Sequence, residues 1–260
     1  MPPPLLNEPP PQREKSTREV HNVRFLSAGD RALVIEFGKT VDRALSEDVL
    51  RLNAVIRSSD VSGVVETIPT FRSLMVHYDP LVTSRQALER AVSGLLERSG
   101  ESRTGAALWR VPACYEGEFA PDLADVARLT GLTPSDVVAL HSGARYHVYM
   151  LGFLPGFPYM GDLPRELELP RRADPRVQVP PGSIAIATSL TAIYPYESPG
   201  GWHLIGATPI RLFEAGRPRP ALLAPGDAVA FVPVDRTSYL AIREAVGTES
   251  YQVECEPLDA

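Results

Sequence analysis

Three arginines, Arg171, Arg172 and Arg176, fall within the seven residues PRRADPR. A guanidinium is a planar fork of donors that fits carboxylate or phosphate oxygens in pairs, so such a cluster is a candidate anion site. A solvated or salt-bridged loop explains the same spacing, and on spacing alone that plainer reading is favoured. His141 falls at the end of a predicted helix, where an imidazole either titrates near neutrality or caps the last carbonyls. The other histidines, His21, His77, His147 and His203, show no spacing suited to zinc, and no metal site is expected. There is no Gly-x-Ser-x-Gly elbow. FGKT at 37–40 fails as a phosphate loop because Leu33 stands where that motif needs glycine.

The stretch GFLPGFPYMGDLP, residues 152–164, sets three glycines and three prolines around two phenylalanines and a tyrosine. Prolines fix φ and glycines permit tight turns, so Pro155, Gly156 and Pro158 stiffen a ribbon carrying Phe153, Phe157 and Tyr159. ESPGGWHLIG at 197–206 adds Pro199, Gly200, Gly201 and Trp202 to a similarly irregular stretch. Loops of this kind often carry function on a rigid scaffold. By residue type, Trp202 and Tyr194 read as core or interface residues.

These segments need a frame. The chain has 260 residues, 44% apolar and 22% charged, which is ordinary globular composition with room for two small domains. A net charge of -6 and a pI near 5.5 lack the basic footprint of a nucleic-acid or polybasic membrane binder. No run approaches a membrane span and no signal-peptide core is present, so a cytoplasmic location is expected. Cys114 and Cys255 read as free thiols. Residues 1–19, rich in proline and polar side chains, read as a disordered tail. In 20–100, two short apolar runs precede a helix at 42–57, two more strands follow, and a second helix spans 84–98 with Thr83 and Gln86 resembling a capping box. That ββαββα order predicts a two-layer α/β sandwich. After a linker at 100–106, residues 105–247 combine short helices near 121–131 and 134–143, many short Gly- and Pro-punctuated strands that suggest a closed barrel, and a last helix at 236–246. Residues 248–260 read as a loose tail. The fold class is therefore α+β.

PACYEGEFAPDLADVARLTGLTPSDVVALHS, GFLPGFPYMGDLP, PRRADPRVQVPPGSIAIA and TAIYPYESPGGWHLIGATPIRLF together resemble the family of 5-oxoprolinase B subunits, over about residues 20–235. That family also holds a kinase inhibitor of sporulating bacteria and proteins labelled allophanate hydrolase subunit 1. The resemblance implies that the barrel is cyclophilin-like. It also implies a companion, the C subunit, with a related barrel, a separate A subunit, and ATP with Mg2+ as co-substrate. The assembled set would open the lactam of 5-oxoproline to glutamate, with this chain inactive alone. A five-membered lactam is an unactivated amide; phosphoryl transfer to its oxygen would make the carbon electrophilic, and cationic groups would stabilise the developing charge. By position, the resemblance offers His141, Arg172, Arg176 and Thr191 as catalytic, and Arg171, Tyr194, Trp202 and His203 as substrate- or nucleotide-binding. It assigns Phe153, Pro155, Gly156, Phe157, Pro158, Tyr159, Pro199, Gly200 and Gly201 to interface loops.

The chain departs from that pattern where the family reads Gly-x-Gln-Thr-Gly: it has Thr188, Ser189, Leu190, Thr191 and Ala192. Leu190 cannot hydrogen-bond a substrate, which puts a standard site in doubt. Ala207 replaces a frequent arginine and Ala120 a glycine. The alternatives are a regulatory protein that inhibits a histidine kinase, and a carboxyltransferase-like module working with a biotin carrier; biotin is not expected for the main reading.

Overall fold

The computed structural model describes residues 23–98 and 106–258. The expected tail at 1–19 and nearly all of the linker at 100–106 lie outside the described residues. The N-terminal unit runs β1 (Arg24–Ser27), β2 (Ala32–Glu36), α1 (Arg43–Ser58), β3 (Val64–Pro69), β4 (Ser73–Tyr78) and α2 (Arg85–Arg98). The strands form one antiparallel sheet in the order β1-β2-β4-β3. Period-two alternation puts Leu33 and Ile35 of β2 on the same buried face as Leu74, Val76 and Tyr78 of β4. The stripe Leu45, Val49, Leu52 and Ile56 of α1 and Leu88 and Val92 of α2 cover that face in one apolar cluster.

Helix ends follow local chemistry. Asp42 Oδ1 accepts from the N–H groups of Ala44 (2.8 Å) and Leu45 (3.2 Å) to start α1. The α2 cap is Ser84, whose Oγ accepts from Ala87 N–H at 3.2 Å, and not the expected Thr83–Gln86 pair. Thr83 is otherwise engaged: its methyl packs where a Cβ at Gly63 would overlap it, and Gly63 sits at φ +79°.

The second unit contains β5 (Ala107–Ala113), α3 (Leu123–Thr130), α4 (Pro134–Gly143), β6 (Arg145–Leu151), β7 (Pro158–Gly161), β8 (Arg176–Val179), β9 (Ser183–Ala187), β10 (Leu190–Ile193), β11 (Ser198–Gly200), β12 (His203–Ala207), β13 (Ala228–Pro233), α5 (Arg236–Gly247) and β14 (Glu254–Pro257). Thr133 opens α4 with a reciprocal box: its Oγ1 accepts from Asp136 N–H (3.2 Å) and Asp136 Oδ2 accepts from Thr133 N–H (3.0 Å). Eight strands form one sheet in the order β12-β9-β10-β7-β6-β13-β5-β14, and β8 pairs with β11 in a separate ribbon. The main apolar cluster draws Val111, Tyr146, Val148, Met160, Ile184, Ile186, Ile193, Ile205 and Val229 from the large sheet and Val126 and Val137 from the helices against it.

The expected closed barrel is not formed as a continuous ladder. β14 occupies the outer edge of β5 from Ala107 to Arg110, and the chain reaches across only at Cys114, just past β5. It makes a single two-bond bridge to Ala207 at the end of β12 (2.8 and 2.9 Å). The same strand corrects the loose tail expected at 248–260, whose residues up to 258 are described and include β14. Its side chains are exposed, which hides it from a hydrophobic-pattern reading, while Tyr251 and Val253 just before it pack on the main core.

The two units touch through specific groups. Ser46 Oγ of α1 lies 3.1 Å from His147 Nε2 of β6, both buried. Phe71, in the β3–β4 turn, meets the rings of Tyr149 (5.5 Å) and Tyr159 (5.8 Å). The N-terminal unit thus packs directly on the ribbon containing β7. Removing β14 tests its structural weight: a chain ending at Ser250 should lose about 2 kcal/mol of stability in urea melts, from lost backbone pairing, and should self-associate through the bared β5 edge. Unchanged melting would show that the strand is not integral.

Candidate functional site

A buried carboxylate that sequence reading missed organises the region. Asp122 immediately precedes α3, and its side chain is 3% exposed. Arg176 donates to it twice, Nη1 to Oδ2 at 2.8 Å and Nη2 to Oδ1 at 2.6 Å, while Arg172 Nη1 reaches Oδ1 at 2.9 Å. Leu204 N–H donates to Oδ2 at 2.7 Å, and Asp122 N–H returns a bond to Leu204 O at 2.9 Å. Burial pushes the carboxyl up, but the hydrogen bonds from Arg176 and Leu204 and the charges of Arg176 and Arg172 outweigh it, so its pKa is lowered. Arg172 and Arg176 are therefore held in a salt-bridge knot. The salt-bridged reading of the loop holds for these two, which keep 27% and 24% of their side chains exposed.

Arg171 differs. It is exposed and has no acidic partner among the described residues. Its backbone is clamped on both sides: Arg172 N–H donates to Gly201 O at 2.8 Å, and His203 Nε2 donates to Pro170 O at 3.0 Å.

The two irregular motifs meet in one aromatic cluster. Phe157 lies 5.0 Å from Tyr159, 5.1 Å from Tyr194 and 6.3 Å from Trp202, and Tyr159 is 6.1 Å from Trp202, all tilted or edge-on. Val179, Ala185, Ala187, Ala192 and Leu204 complete this second core. Phe157, Pro158, Tyr194 and Trp202 are buried, Tyr159 is half-buried, and Pro155 and Pro199 are exposed. Gly156, at φ +76°, leaves no room for a Cβ against Phe213 and Leu212. A Cβ on Gly200 would overlap the Tyr194 hydroxyl. Phe153 turns outward at 61% exposure with φ +70°, an unfavourable conformation for a bulky residue.

His141 and Thr191 are sealed in the main core, away from solvent. Thr191 Oγ1 donates to Ala185 O (3.1 Å), so it accepts from His141 Nε2 (3.0 Å); His141 Nδ1 then accepts from the Tyr115 hydroxyl (2.8 Å). The ring stacks on Phe231 at 4.7 Å. Burial pushes the imidazole down to about 3, which corrects the expectation of titration near neutrality. Both residues are bridges inside the fold and offer no surface to a ligand in this conformation. His203 is also buried; its Nε2 faces a carbonyl and so carries the proton, and its Nδ1 has no partner.

At the divergent run, Thr188 adopts φ +53°, a backbone that favours glycine, and Ala192 is fully buried against the aromatic cluster. Leu190 packs on that cluster as well. Asp122 was legible only as a helix start, because its arginine partners lie 50 and 54 residues away. Tyr115 carried no signal beyond an apolar position. Among the described residues, no group of His, Cys, Asp and Glu is arranged for a metal and no helix is long and apolar enough to cross a membrane. A cleft of about 370 Å³ lies between α1 and β3, lined by Ile56, Asp60 and Glu66, and not at the aromatic cluster.

Two pH windows follow. The lowered Asp122 pKa gives stability present in full above its unfolded value of ~3.9 and lost as pH falls through the folded value. Asp122→Ala should cost about 3 kcal/mol in urea melts at neutral pH, the low end for a broken buried pair because Arg172 and Arg176 remain 27% and 24% exposed. A loss under about 0.5 kcal/mol would reduce the knot to a surface pair. For His141 the depressed folded pKa means stability is complete above ~6.5 and declines as pH falls from there. Its ring NMR resonances should stay those of one neutral tautomer from pH 5 to 8; a titration in that range would contradict the sealed site.

Residues 23–223 match the family described as carboxyltransferase domain, subdomain C and D. The chain is 36% identical over 230 residues to the 5-oxoprolinase B subunit of Bacillus subtilis (strain 168), covering 83% of this chain and 95% of that protein. It is 42% identical over 215 residues to the 5-oxoprolinase B subunit of Escherichia coli O157:H7, covering 82% and 97%. The crystal structure of the protein TTHA0988 superposes with a TM-score of 0.71 at 36% identity, over 78% of this chain and only 40% of that longer one. Urea amidolyase of K. lactis shares the fold, with a TM-score of 0.76 at 20% identity over 92% of this chain and 16% of that one. With its two motif loops joined in one aromatic cluster and its sequence matched over nearly the full length of such relatives, the chain belongs to the family of 5-oxoprolinase B subunits, within the carboxyltransferase domain C and D group.

Proposed function

We propose that this chain is the B subunit of a cytoplasmic, ATP-dependent 5-oxoprolinase that opens 5-oxoproline to glutamate only when assembled with companion chains. The observation that carries this reading is the match to proteins named as the B subunit of 5-oxoprolinase over 95% and 97% of their lengths. The geometry supports non-autonomy. His141 and Thr191, offered as catalytic, are buried, and Arg172 and Arg176 are committed to Asp122. Leu33 breaks the sequence that resembles a phosphate loop. ATP and Mg2+ are assigned to the complete assembly.

The companion surface is the outward edge of the aromatic ribbon. Phe153 holds a positive φ with its ring edge-on to Phe157 at 5.4 Å and the rest of the side chain exposed, which fits a residue kept for contact. The companion is a chain of the C-subunit type with a related barrel, joined by a chain of the A-subunit type.

Co-expression with those candidates should bring them down with this chain. The reconstituted set should hydrolyse ATP only when 5-oxoproline is added, the isolated chain should be inactive, and avidin should have no effect. Turnover by the isolated chain would overturn the proposal. So would an inactive full set combined with inhibition of a histidine kinase's autophosphorylation, which would favour the regulatory alternative. Phe153→Ala should weaken assembly by about tenfold or more without altering the melting of the free chain; undiminished assembly would move the interface elsewhere.

A further inference from the structure

A hairpin between β12 and β13 gathers positive charge on a chain whose net charge is -6. Its arms pair through the Phe213–Ala221 bridge, with Leu222 N–H donating to Leu212 O and Glu214 N–H to Pro220 O, both at 2.8 Å. Residues 215–220 form its exposed tip. Arg211, Arg217 and Arg219 share this hairpin with a single carboxylate, Glu214, whose Oε1 lies 2.7 Å from Arg217 Nη2 and 3.9 Å from Arg211 Nη1. Arg219 is exposed and has no acidic partner among the described residues. Three guanidinia against one carboxylate leave a surplus of positive charge, and Pro218 and Pro220 fix φ on either side of Arg219. The base of the hairpin is braced on the aromatic ribbon. A Cβ at Gly156 would lie 2.7 Å from Phe213 Cβ and 3.1 Å from Leu212 O, so this arm runs directly over that glycine. The Tyr196 hydroxyl donates to Phe213 O at 3.3 Å, and the two rings meet edge-on at 6.3 Å. Tyr196 keeps 43% of its surface exposed, while its acidic neighbour Glu197 is turned to Gln178 Nε2 at 3.1 Å. Solvation alone accounts for the arginines, but not for a braced tip beside an exposed tyrosine on the ribbon that also presents Phe153.

We propose that this hairpin docks an acidic segment of the companion chain, its arginines taking carboxylates and Tyr196 supplying the apolar contact beside them. The proposal rests on the functional reading for the existence of a companion and adds the chemistry of the surface that meets it. Guanidinia match carboxylates through paired donors, and a tip already braced loses little freedom on binding. Arginine and tyrosine are also residue types that carry much of the energy of protein interfaces. Charge orients the encounter: the remainder of the chain holds the negative surplus, so an acidic segment is repelled from other faces and drawn to this one. The same surplus opposes a long polyanion such as a nucleic acid and favours a short acidic stretch.

The test uses the purified full chain and its co-expressed companion of the C-subunit type, with Kd read by calorimetry. Arg217→Glu combined with Arg219→Glu should raise Kd by about tenfold or more, and the matching pair of lysine substitutions should lose less. Arg57→Glu combined with Arg90→Glu, at exposed positions of α1 and α2, changes net charge equally and should cost far less. The hairpin variants should melt with the wild type, because the tip is exposed. The wild-type association rate should fall as salt rises past about 0.1 M, and the double reversal should flatten that dependence. Arg219→Lys adds one lysine to Lys15 and Lys39, and a carbodiimide should join it to an aspartate or glutamate of the companion, located by mass spectrometry. Wild-type affinity in the double reversal, an equal loss in the Arg57 and Arg90 control, no cross-link from the introduced lysine, or arginine-dependent retention on duplex DNA in place of the companion would each overturn the docking site. The two proposals fail separately. Hairpin-dependent binding without ATP hydrolysis driven by 5-oxoproline in the full set removes the enzyme and leaves the site; turnover with unchanged affinity in the double reversal removes the site and leaves the enzyme. A wild-type chain that captures no companion removes both.

Discussion

The region depends on one buried carboxylate. Asp122 receives two guanidinia and a backbone N–H, and in doing so it pins the start of α3, strand β12 and the loop leading into β8 to a single point. A carboxylate this buried is tolerable only because its lone pairs are filled by donors, two of them charged. The arrangement has a directional consequence. Arg172 and Arg176 turn inward to satisfy it, while the adjacent Arg171 is exposed and has no acidic partner among the described residues. A cluster that looks uniform in sequence is thereby divided into two structural cations and one available cation.

The aromatic cluster has the same economy of parts. Phe157 supplies the centre, Tyr194 and Trp202 arrive from other strands, and glycines at 156 and 200 allow the close approaches. The prolines hold the ribbon stiff enough to keep Phe153 in a strained outward position. Tyr159 extends the cluster to Phe71 of the N-terminal unit, so ring contacts run continuously from the β3–β4 turn to Trp202. The N-terminal unit is in this sense part of the wall on which the candidate site is built. The Ser46–His147 contact fixes α1 against the same sheet.

His141 shows how a chemically suggestive residue becomes structural. Its ring joins Tyr115 to Thr191 through a chain in which each donor has one acceptor, ending on the carbonyl of Ala185. Such a closed chain satisfies buried polar groups without leaving a proton to exchange. The divergent run beside it has lost amide and glycine positions to Leu190 and Ala192, and both now add apolar contact to the aromatic core.

The sequence by itself determined whatever is local or periodic. The ββαββα order of the first unit, the α1 stripe and the free thiols are all legible, because side-chain period acts within a few residues. The irregular loops carrying Phe157, Tyr159, Tyr194 and Trp202 stood out by composition, but their meeting in one cluster did not. Tertiary structure alone decided the partners of Arg172 and Arg176, the burial of His141, the single Cys114–Ala207 closure and the pairing of β14 with β5. Each of these joins residues tens to more than a hundred positions apart, and β14 shows only exposed side chains. Long-range pairing leaves no periodic trace in either partner, so only the folded chain reveals which charge is spent and which remains free.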